Sequence, residues 1–479
     1  MTVSSPSPSP ILAVDLDGTL LRSNMLHETF WSALAHDWRT PFVAIRHVSR
    51  SRAALKHALH QRARVDVTTL PYDEDVVAFV RDWRAQGGRT ALVTATNQHL
   101  AQAIADHLGL FDEVHGSDPR HNLKGRRKAE FLVERYGRAG YVYIGDASAD
   151  LPVWRDARHG VVKHHSTRLR ARASTLQPSL TFMDGTRRKP SDYAKALRPH
   201  QWLKNLLVFL APVAAHRFDA LTIVQTLTAF VAFSLVASSV YLLNDLLDLS
   251  ADRAHPRKRN RPFAAGHVAL EHGLPLTALL LCGGALLSLL LGPAFVAVML
   301  IYYIATTAYS LVLKRQPIID ICVLAGLYTI RVVAGGVATD TPLSVWLIAF
   351  SLFFFFSLAA VKRQAELVDS ASAGTLKLHG RGYHSDDLSL VAQMATGSGY
   401  VSVLVMTLYI NSENVTRLYR HPAVLWAISP ILLYWISRII LTAHRGEMHD
   451  DPVVYAARDK ISLLCAFLIL AFAVAGAIA

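Results

Sequence analysis

Two sets of carboxylates carry the chemistry that this sequence offers. Asn244 to Gly266 reads NDLLDLSADRAHPRKRNRPFAAG, three aspartates followed by a dense basic run at the mouth of a long apolar segment. Asp245, Asp248 and Asp252 fall at i, i+3 and i+7, which on a helix puts the carboxylates on one face, with Asn244 one turn from Asp248. Carboxylates clustered near hydrocarbon repel one another unless a cation neutralises them, which is the setting of a Mg²⁺ site that grips a pyrophosphate. The cations between 255 and 261, among them Arg257, Lys258 and Arg261, would hold the remaining phosphate charge. The second set begins at ILAVDLDGTL, a short apolar run ending in Asp15, Asp17 and Thr19, the pattern of a buried parallel strand delivering carboxylates at its C-terminal end. TALVTATN then offers Thr94 at the end of another apolar strand, NLKGRRKAEFL offers Lys124 or Lys128 at a helix start, and YVYIGDASAD offers Asp146 and Asp150 after a third strand.

The elements that position these groups divide by composition. A chain of 479 residues that is 52% hydrophobic, with mean hydropathy +0.27, is too apolar for an ordinary soluble enzyme. The apolar excess lies after about position 200, whereas roughly the first 185 residues have a soluble domain's mixture. The expected organisation is a disordered Ser/Pro tail at 1–10, an α/β domain at 11–180, a linker at 181–200 and a membrane domain at 201–479. The N-terminus lacks the basic start and apolar core of a signal peptide, which keeps the first domain in the cytosol. Residues 24 to about 70 are helical in pattern and rich in His and Arg, suited to a small cap over a site for a phosphorylated substrate.

Nine apolar segments follow, near 203–217, 222–243, 274–291, 293–313, 318–338, 343–361, 392–410, 422–443 and 459–479, the first short enough to be half-embedded. With the soluble domain inside, the cytosolic loops collect Arg253, Arg257, Lys258, Arg259, Arg261, Lys314, Arg315, Lys362, Arg363, Lys377, Arg381, Arg445, Arg458 and Lys460, while the opposite loops hold little beyond Arg217, Arg417 and Arg420. This asymmetry predicts a multi-pass protein of the cytoplasmic membrane with both acidic sets on the cytosolic side. It also accounts for the net charge of +13 by loops and anionic substrates rather than by nucleic acid. Cys282, Cys322 and Cys465 are scattered in apolar segments without metal-ligand spacing and read as packed thiols.

The ordered set Asp15, Asp17, Thr94, Lys128, Asp146 and Asp150 resembles the haloacid dehalogenase-like (HAD) phosphohydrolase superfamily over roughly residues 10 to 180. The resemblance implies a Rossmann-like domain in which Asp15 is the nucleophile and Asp17 the acid and base. It also implies that Thr94 and a lysine neutralise phosphoryl oxygens, and that Asp146 and Asp150, with Asp15 and Asp17, hold Mg²⁺. Lys128, at the start of the amphipathic helix, is preferred to Lys124.

A second polar cluster, VKRQAELVD, places Lys362, Glu366 and Asp369 on one helix face after the sixth apolar segment. With the acidic motif after the second, it resembles the UbiA superfamily of intramembrane prenyltransferases over roughly residues 190 to 479, an all-α bundle of nine transmembrane helices. Asn244, Asp245, Asp248 and Asp252 fit that superfamily's first Asp-rich motif; the second departs from it, with Lys362 and Arg363 beside Glu366. Together with RPHQWLKN at 198–205, DRAHPRKRNRPFAAG, and HRGEMHDDPVVYA at 444–456, this looks most like the branch that contains decaprenyl-phosphate phosphoribosyltransferase. The resemblance implies Mg²⁺-dependent transfer of 5-phosphoribose from phosphoribosyl pyrophosphate (PRPP) to a polyprenyl phosphate, followed by dephosphorylation in the HAD domain. Asp245, Asp248 and Asp252 would be catalytic and hold the metal. Lys204, Asn244, Arg257, Lys258, Arg261, Lys314, Lys362, Arg363 and Glu366 would bind substrate. The alternative is a prenyl transfer from a polyprenyl diphosphate to an aromatic or small acceptor, with the HAD domain acting on another phosphate or regulating. Arg331, inside a span, either pairs with a carbonyl or touches substrate, and residues 376–390, with His379, Arg381, His384, Asp386 and Asp387, form a lid or a disordered loop.

Overall fold

The computed structural model describes residues 10–48, 52–118, 122–164, 166–177, 179–185, 188–372, 374, 381–448 and 451–478. The expected tail at 1–10 lies outside them except for residue 10, as do Lys377 and His379. The chain forms two compact units, one of residues 1–197 with 241–276 and the other of 198–240 with 277–479.

In the first unit, six parallel strands form one sheet: β1 (Ile11–Val14), β2 (Thr90–Asn97), β3 (Glu113–Ser117), β4 (Tyr141–Gly145), β5 (His159–Lys163) and β6 (Leu180–Met183), in the order β3-β2-β1-β4-β5-β6. β1 and β4 are buried along their whole length, as short apolar runs covered on both faces by helices should be. Because all strands run the same way, the loops after β1, β2 and β4 meet at one edge, where an open α/β sheet places its site. Between β1 and β2 the chain forms helices α1 (Met25–His36), α2 (Thr40–Val48) and α3 (Arg52–His60), the expected helical cap. Asn24 caps α1 by accepting from the Leu26 amide.

Composition alone draws a boundary near residue 200, yet residues 241–276 belong to this unit. The attachment is specific. Arg253 donates to both Glu28 oxygens of α1, at 2.7 and 3.0 Å, with both side chains buried, and its Nε reaches the Ala264 carbonyl at 2.9 Å. Gly266, at φ +72°, comes so close to Arg22 that a Cβ there would lie 2.8 Å from the Arg22 Cβ. Tyr193 shares a hydrogen bond with His272 at 2.7 Å. Arg253, which the loop-charge argument counts as a topology determinant, is therefore committed to a buried pair. Glu28→Gln leaves the guanidinium buried beside a neutral partner and is expected to destabilise this unit by about 3 kcal/mol, read as a lower thermal midpoint of the full chain; an unchanged midpoint would refute the attachment.

Among the described residues, eight helices are long and apolar enough to cross a membrane: Ala220–Leu247, Leu270–Leu290, Pro293–Leu311, Ile319–Ala338, Val345–Ser372, Ser385–Ile410, Pro422–His444 and Lys460–Ala477. The chain is a multi-pass membrane protein. The first expected segment, near 203–217, is a 3-10 helix (Pro199–Phe209) and a short α-helix (Leu210–Ala214). Its three-residue repeat turns Lys204, Asn205 and Val208 inward and leaves Leu203 and Leu206 exposed, and Pro212 withholds an amide from continued helix. In the second unit, helices Val345–Ser372 and Leu388–Ile410 pack closely, with the Ser357 hydroxyl donating to the Ala395 carbonyl at 2.7 Å. Cys465 is packed as expected; Cys282 and Cys322 are exposed instead.

Candidate functional site

The loops at the sheet edge bring the first acidic set together. Asp15 follows β1, its Oδ1 accepting from the Leu16 amide and lying 2.8 Å from the Lys128 ammonium. Lys128 sits in the first turn of helix Arg126–Tyr136, fully buried, and donates to the Tyr143 hydroxyl at 2.9 Å, which in turn donates to Asp150 at 2.8 Å. Burial works against the Lys128 charge, but Asp15 and Asp150 overcome it and hold its pKa above the ordinary value. Lys124 is exposed, in the turn before that helix. Thr94, buried in β2, accepts from the Thr96 amide at 3.0 Å.

Asp15, Asp146 and Asp150 each present an oxygen within 4.8 Å of the others. Burial first, then the neighbouring Asp150, Asp15 and Asp17, pushes the Asp146 carboxyl well above the usual range. Carboxylates that crowd one another in this way form a donor set that suits a divalent cation. Gly18, at φ +79°, permits the crowding, since a Cβ there would lie 2.2 Å from Asp146 Oδ2. Asp17 accepts from the Met25 amide at 2.7 Å and from the Thr96 hydroxyl at 3.3 Å; burial and then Asp15 raise its pKa, against the pull of that amide. Lys56 of α3 donates to the Ala95 carbonyl and lies near enough to act on Asp17. Lys56, Thr96 and Tyr143 are not among the expected site residues, although Thr96 stands two residues after Thr94 and Tyr143 two before the turn of GDASAD.

The second acidic set does not share one helix. Helix Ala220–Leu247 ends at Asp248, whose φ −97° and ψ 15° break it before a new helix, Leu249–Ala254, begins. Asp245 and Asp252 are buried, and Arg261 bridges them at 3.2 and 2.6 Å, one guanidinium nitrogen serving both carboxylates. Burial raises the Asp252 pKa, with Arg261 opposing. Two buried carboxylates that already share a cation suit a metal ion. Asn244 and Asp248 flank them, half-buried, while Arg257 and Lys258 are exposed.

In the second unit, Lys204 and Lys362 converge on Asp451 Oδ2 at 2.7 and 2.9 Å, and the Tyr328 hydroxyl donates to Oδ1 at 3.0 Å. Asp451 belongs to HRGEMHDDPVVYA but is missing from the expected site. Arg331 donates to Asn205 at 2.9 Å and to the Tyr302 hydroxyl at 3.0 Å, and also reaches the Leu327 carbonyl, so it pairs with a carbonyl. The second motif, Lys362 and Arg363 with Glu366, is divided between partners. Arg363 is fully buried in a two-pronged ion pair with Asp320, at 2.8 and 2.9 Å, and also meets Glu366. Its guanidinium is committed to protein carboxylates because a buried charge needs a partner, so it is not placed as a substrate ligand. Glu366 pairs further with Arg381 at 3.3 Å, and Lys314 lies half-buried in the turn Leu313–Arg315.

Comparison with known proteins finds two families in the chain. The haloacid dehalogenase-like hydrolase family matches residues 12–155 and the UbiA prenyltransferase family residues 206–375. The protein y4nM of Sinorhizobium fredii is 38% identical over 462 residues, which is 96% of this chain and 89% of that one. Nodulation protein NoeC of Azorhizobium caulinodans is 36% identical over 276 residues, 57% of this chain and 89% of NoeC. The chain belongs to one family with y4nM and NoeC, and its residues 206–375 are a UbiA prenyltransferase domain. Ahead of its UbiA domain stands a HAD-like hydrolase domain, so the chain is a membrane-embedded enzyme of two fused parts. Decaprenyl-phosphate phosphoribosyltransferase of Mycolicibacterium smegmatis is 44% identical to it over 182 residues, 37% of this chain. The match spans 57% of that enzyme's length.

Proposed function

We propose that the chain is a bifunctional enzyme of the cytoplasmic membrane. Its UbiA domain transfers 5-phosphoribose from PRPP to a polyprenyl phosphate, and its HAD domain removes the 5-phosphate from the product. The observation that carries the reading is that two phosphate-handling carboxylate sets lie in one compact unit, the acidic loop fastened to the HAD cap through Arg253 and Glu28. The similarity to phosphoribosyltransferases supports the choice of donor and acceptor.

In the HAD domain, Asp15 attacks phosphorus while Asp17, whose pKa burial raises, gives its proton to the departing ribose oxygen. Asp17 then takes a proton from the water that attacks the aspartyl phosphate, releasing inorganic phosphate and restoring Asp15. Lys128 and Thr94 offset charge on the phosphoryl oxygens. Asp15, Asp146 and Asp150, with the Asp17 carbonyl, would hold Mg²⁺, which when bound offsets the repulsion between a carboxylate and a phosphoryl group.

In the UbiA domain, Asp245, Asp248 and Asp252 would hold Mg²⁺ together with the donor's diphosphate, and Arg261, Arg257 and Lys258 supply cations for its remaining charge. The bond from the anomeric carbon to the diphosphate breaks as an oxygen of the lipid phosphate bonds to that carbon; the lipid phosphate is already anionic and needs no base. Lys204 and Lys362, held apart from each other's charge by Asp451, keep ammonium hydrogens for an anionic substrate group. Purified full-length protein in detergent, given Mg²⁺, ribose-labelled PRPP and decaprenyl phosphate, is expected to pass label to the lipid fraction and to release inorganic phosphate. Label confined to the aqueous phase, with transfer from a polyprenyl diphosphate to a small acceptor instead, would overturn the reading.

A further inference from the structure

Helix α2 and the turn before it present an apolar stripe to the outside. Trp38, Phe42, Ile45 and Val48, spaced four, three and three residues apart, are 70%, 66%, 70% and 58% exposed. The Trp38 and Phe42 rings meet edge to face with centroids 6.2 Å apart, and the Arg39 guanidinium lies over the Trp38 ring at 5.6 Å. The stripe is therefore one continuous patch. From residue 35 to 48 the cationic and titratable bases are His36, Arg39, Arg46 and His47, against the single acid Asp37.

Its place in the fold identifies its occupant. α1, the preceding helix, is fastened by Glu28 to Arg253, six residues beyond the end of the membrane-crossing helix Ala220–Leu247. Ala35 and His36, at the end of α1, line a small cavity together with Leu246 and Leu247, the last two residues of that helix. Trp38 follows two residues later. The patch thus begins beside the end of a membrane span, where an aromatic ring suits the headgroup layer, aliphatic side chains suit the acyl boundary, and Arg39 and Arg46 suit anionic lipid phosphates. A water-exposed stripe of this kind is costly on a soluble face and favourable at a bilayer.

We propose that α2 is an interfacial anchor: the stripe Trp38, Phe42, Ile45 and Val48 beds into the anionic headgroup layer of the bilayer that the eight helices cross, holding the HAD cap at the lipid surface. α2 packs on α3, whose Lys56 donates to the Ala95 carbonyl and acts on Asp17, so the anchored cap also borders the phosphatase carboxylates. That site then draws its substrate from the membrane face. The anchor rests on the membrane architecture alone; the membrane-borne substrate rests on the proposed function.

The test uses the full chain with Cys282, Cys322 and Cys465 replaced by alanine and Ile45→Cys carrying an environment-sensitive nitrobenzoxadiazole label, in nanodiscs with or without phosphatidylglycerol. The expected result is blue-shifted emission that shallow spin-labelled lipid quenches, stronger with the anionic lipid and largely lost on Arg39→Glu with Arg46→Glu. Water-like emission quenched by iodide and not by spin-labelled lipid would overturn the anchor. So would shielding that appears only when two copies share a nanodisc, which would make a second chain the occupant. A second measurement uses Trp38→Ser with Phe42→Ser: the KM for a lipid-linked ribose 5-phosphate is expected to rise about tenfold while p-nitrophenyl phosphate hydrolysis is unchanged. Equal loss on both substrates would assign the stripe to folding and overturn the anchor. If lipid-linked ribose phosphate is not hydrolysed by the parent chain, the proposed function fails, and the fluorescence result still decides the anchor.

Discussion

Asp15→Asn is expected to abolish phosphate release, by about 10³-fold or more, while transfer of label from PRPP to lipid continues, so that the phosphorylated lipid accumulates. The size of the effect follows from the place of Asp15, whose carboxylate lies 2.8 Å from a buried lysine and within one ligand sphere of Asp146 and Asp150. An amide of the same shape keeps the packing but cannot form the acyl phosphate. It also leaves Lys128 with Asp150 at 3.9 Å as its remaining carboxylate, so some loss of stability accompanies the loss of turnover. Phosphate release that continued unchanged would remove the HAD domain from the reaction. The direction of the pH dependence follows from Asp17. Burial, and secondarily Asp15, raises its pKa, so the proton it must donate is present at low pH and lost as pH rises through that raised value. The decline of the rate on the alkaline side that Asp17 causes therefore sets in at higher pH than an ordinary carboxyl would allow, and Asp17→Asn removes that dependence.

Much of the HAD site is legible in the sequence because each motif is local: a short apolar strand ends and its carboxylate, hydroxyl or lysine follows within a few residues. Asp15, Thr94, Asp146 and Asp150 are found in this way, and parallel strands bring them to one edge without further information. What escapes is whatever depends on a partner far along the chain. Lys56 comes from the cap, about forty residues before the strand it touches. Asp451 reaches Lys204 and Lys362 across separations of 247 and 89 residues, and no periodicity within HRGEMHDDPVVYA distinguishes it from its neighbours. Helical spacing misleads at the first cluster, because it assumes an unbroken helix and Asp248 breaks it. In the second motif the Arg363 charge is taken by Asp320, a partner 43 residues away that no local spacing reveals. The first apolar segment, expected to be short enough for half-embedding, forms no spanning helix, since hydropathy averages over Lys204 and Asn205, which a three-residue repeat turns inward.

Asp245→Asn combined with Asp252→Asn is expected to lower transfer by about 10²- to 10³-fold and to erase its dependence on Mg²⁺ concentration, while hydrolysis of added phosphoribosyl lipid persists. The two residues are buried and share Arg261, so each is held where a cation already sits between carboxylates. Removing both charges leaves Asp248 as the one carboxylate of the set, too few hard ligands to hold a divalent ion at that position. The freed Arg261 side chain is 28% exposed and can turn to water, which keeps the cost in stability small. Because the acidic loop and the HAD domain form one compact unit, retained phosphatase activity also reports that the loop's scaffold is intact, and loss of transfer cannot then be assigned to unfolding. Arg261→Ala separates the metal from its neighbour: the carboxylates remain, Mg²⁺ still supports transfer, and the KM for PRPP rises. Full transfer and full Mg²⁺ dependence in the double variant would show that the donor's diphosphate is held elsewhere, and the acidic loop would then be only the fastening between the membrane helices and the phosphatase.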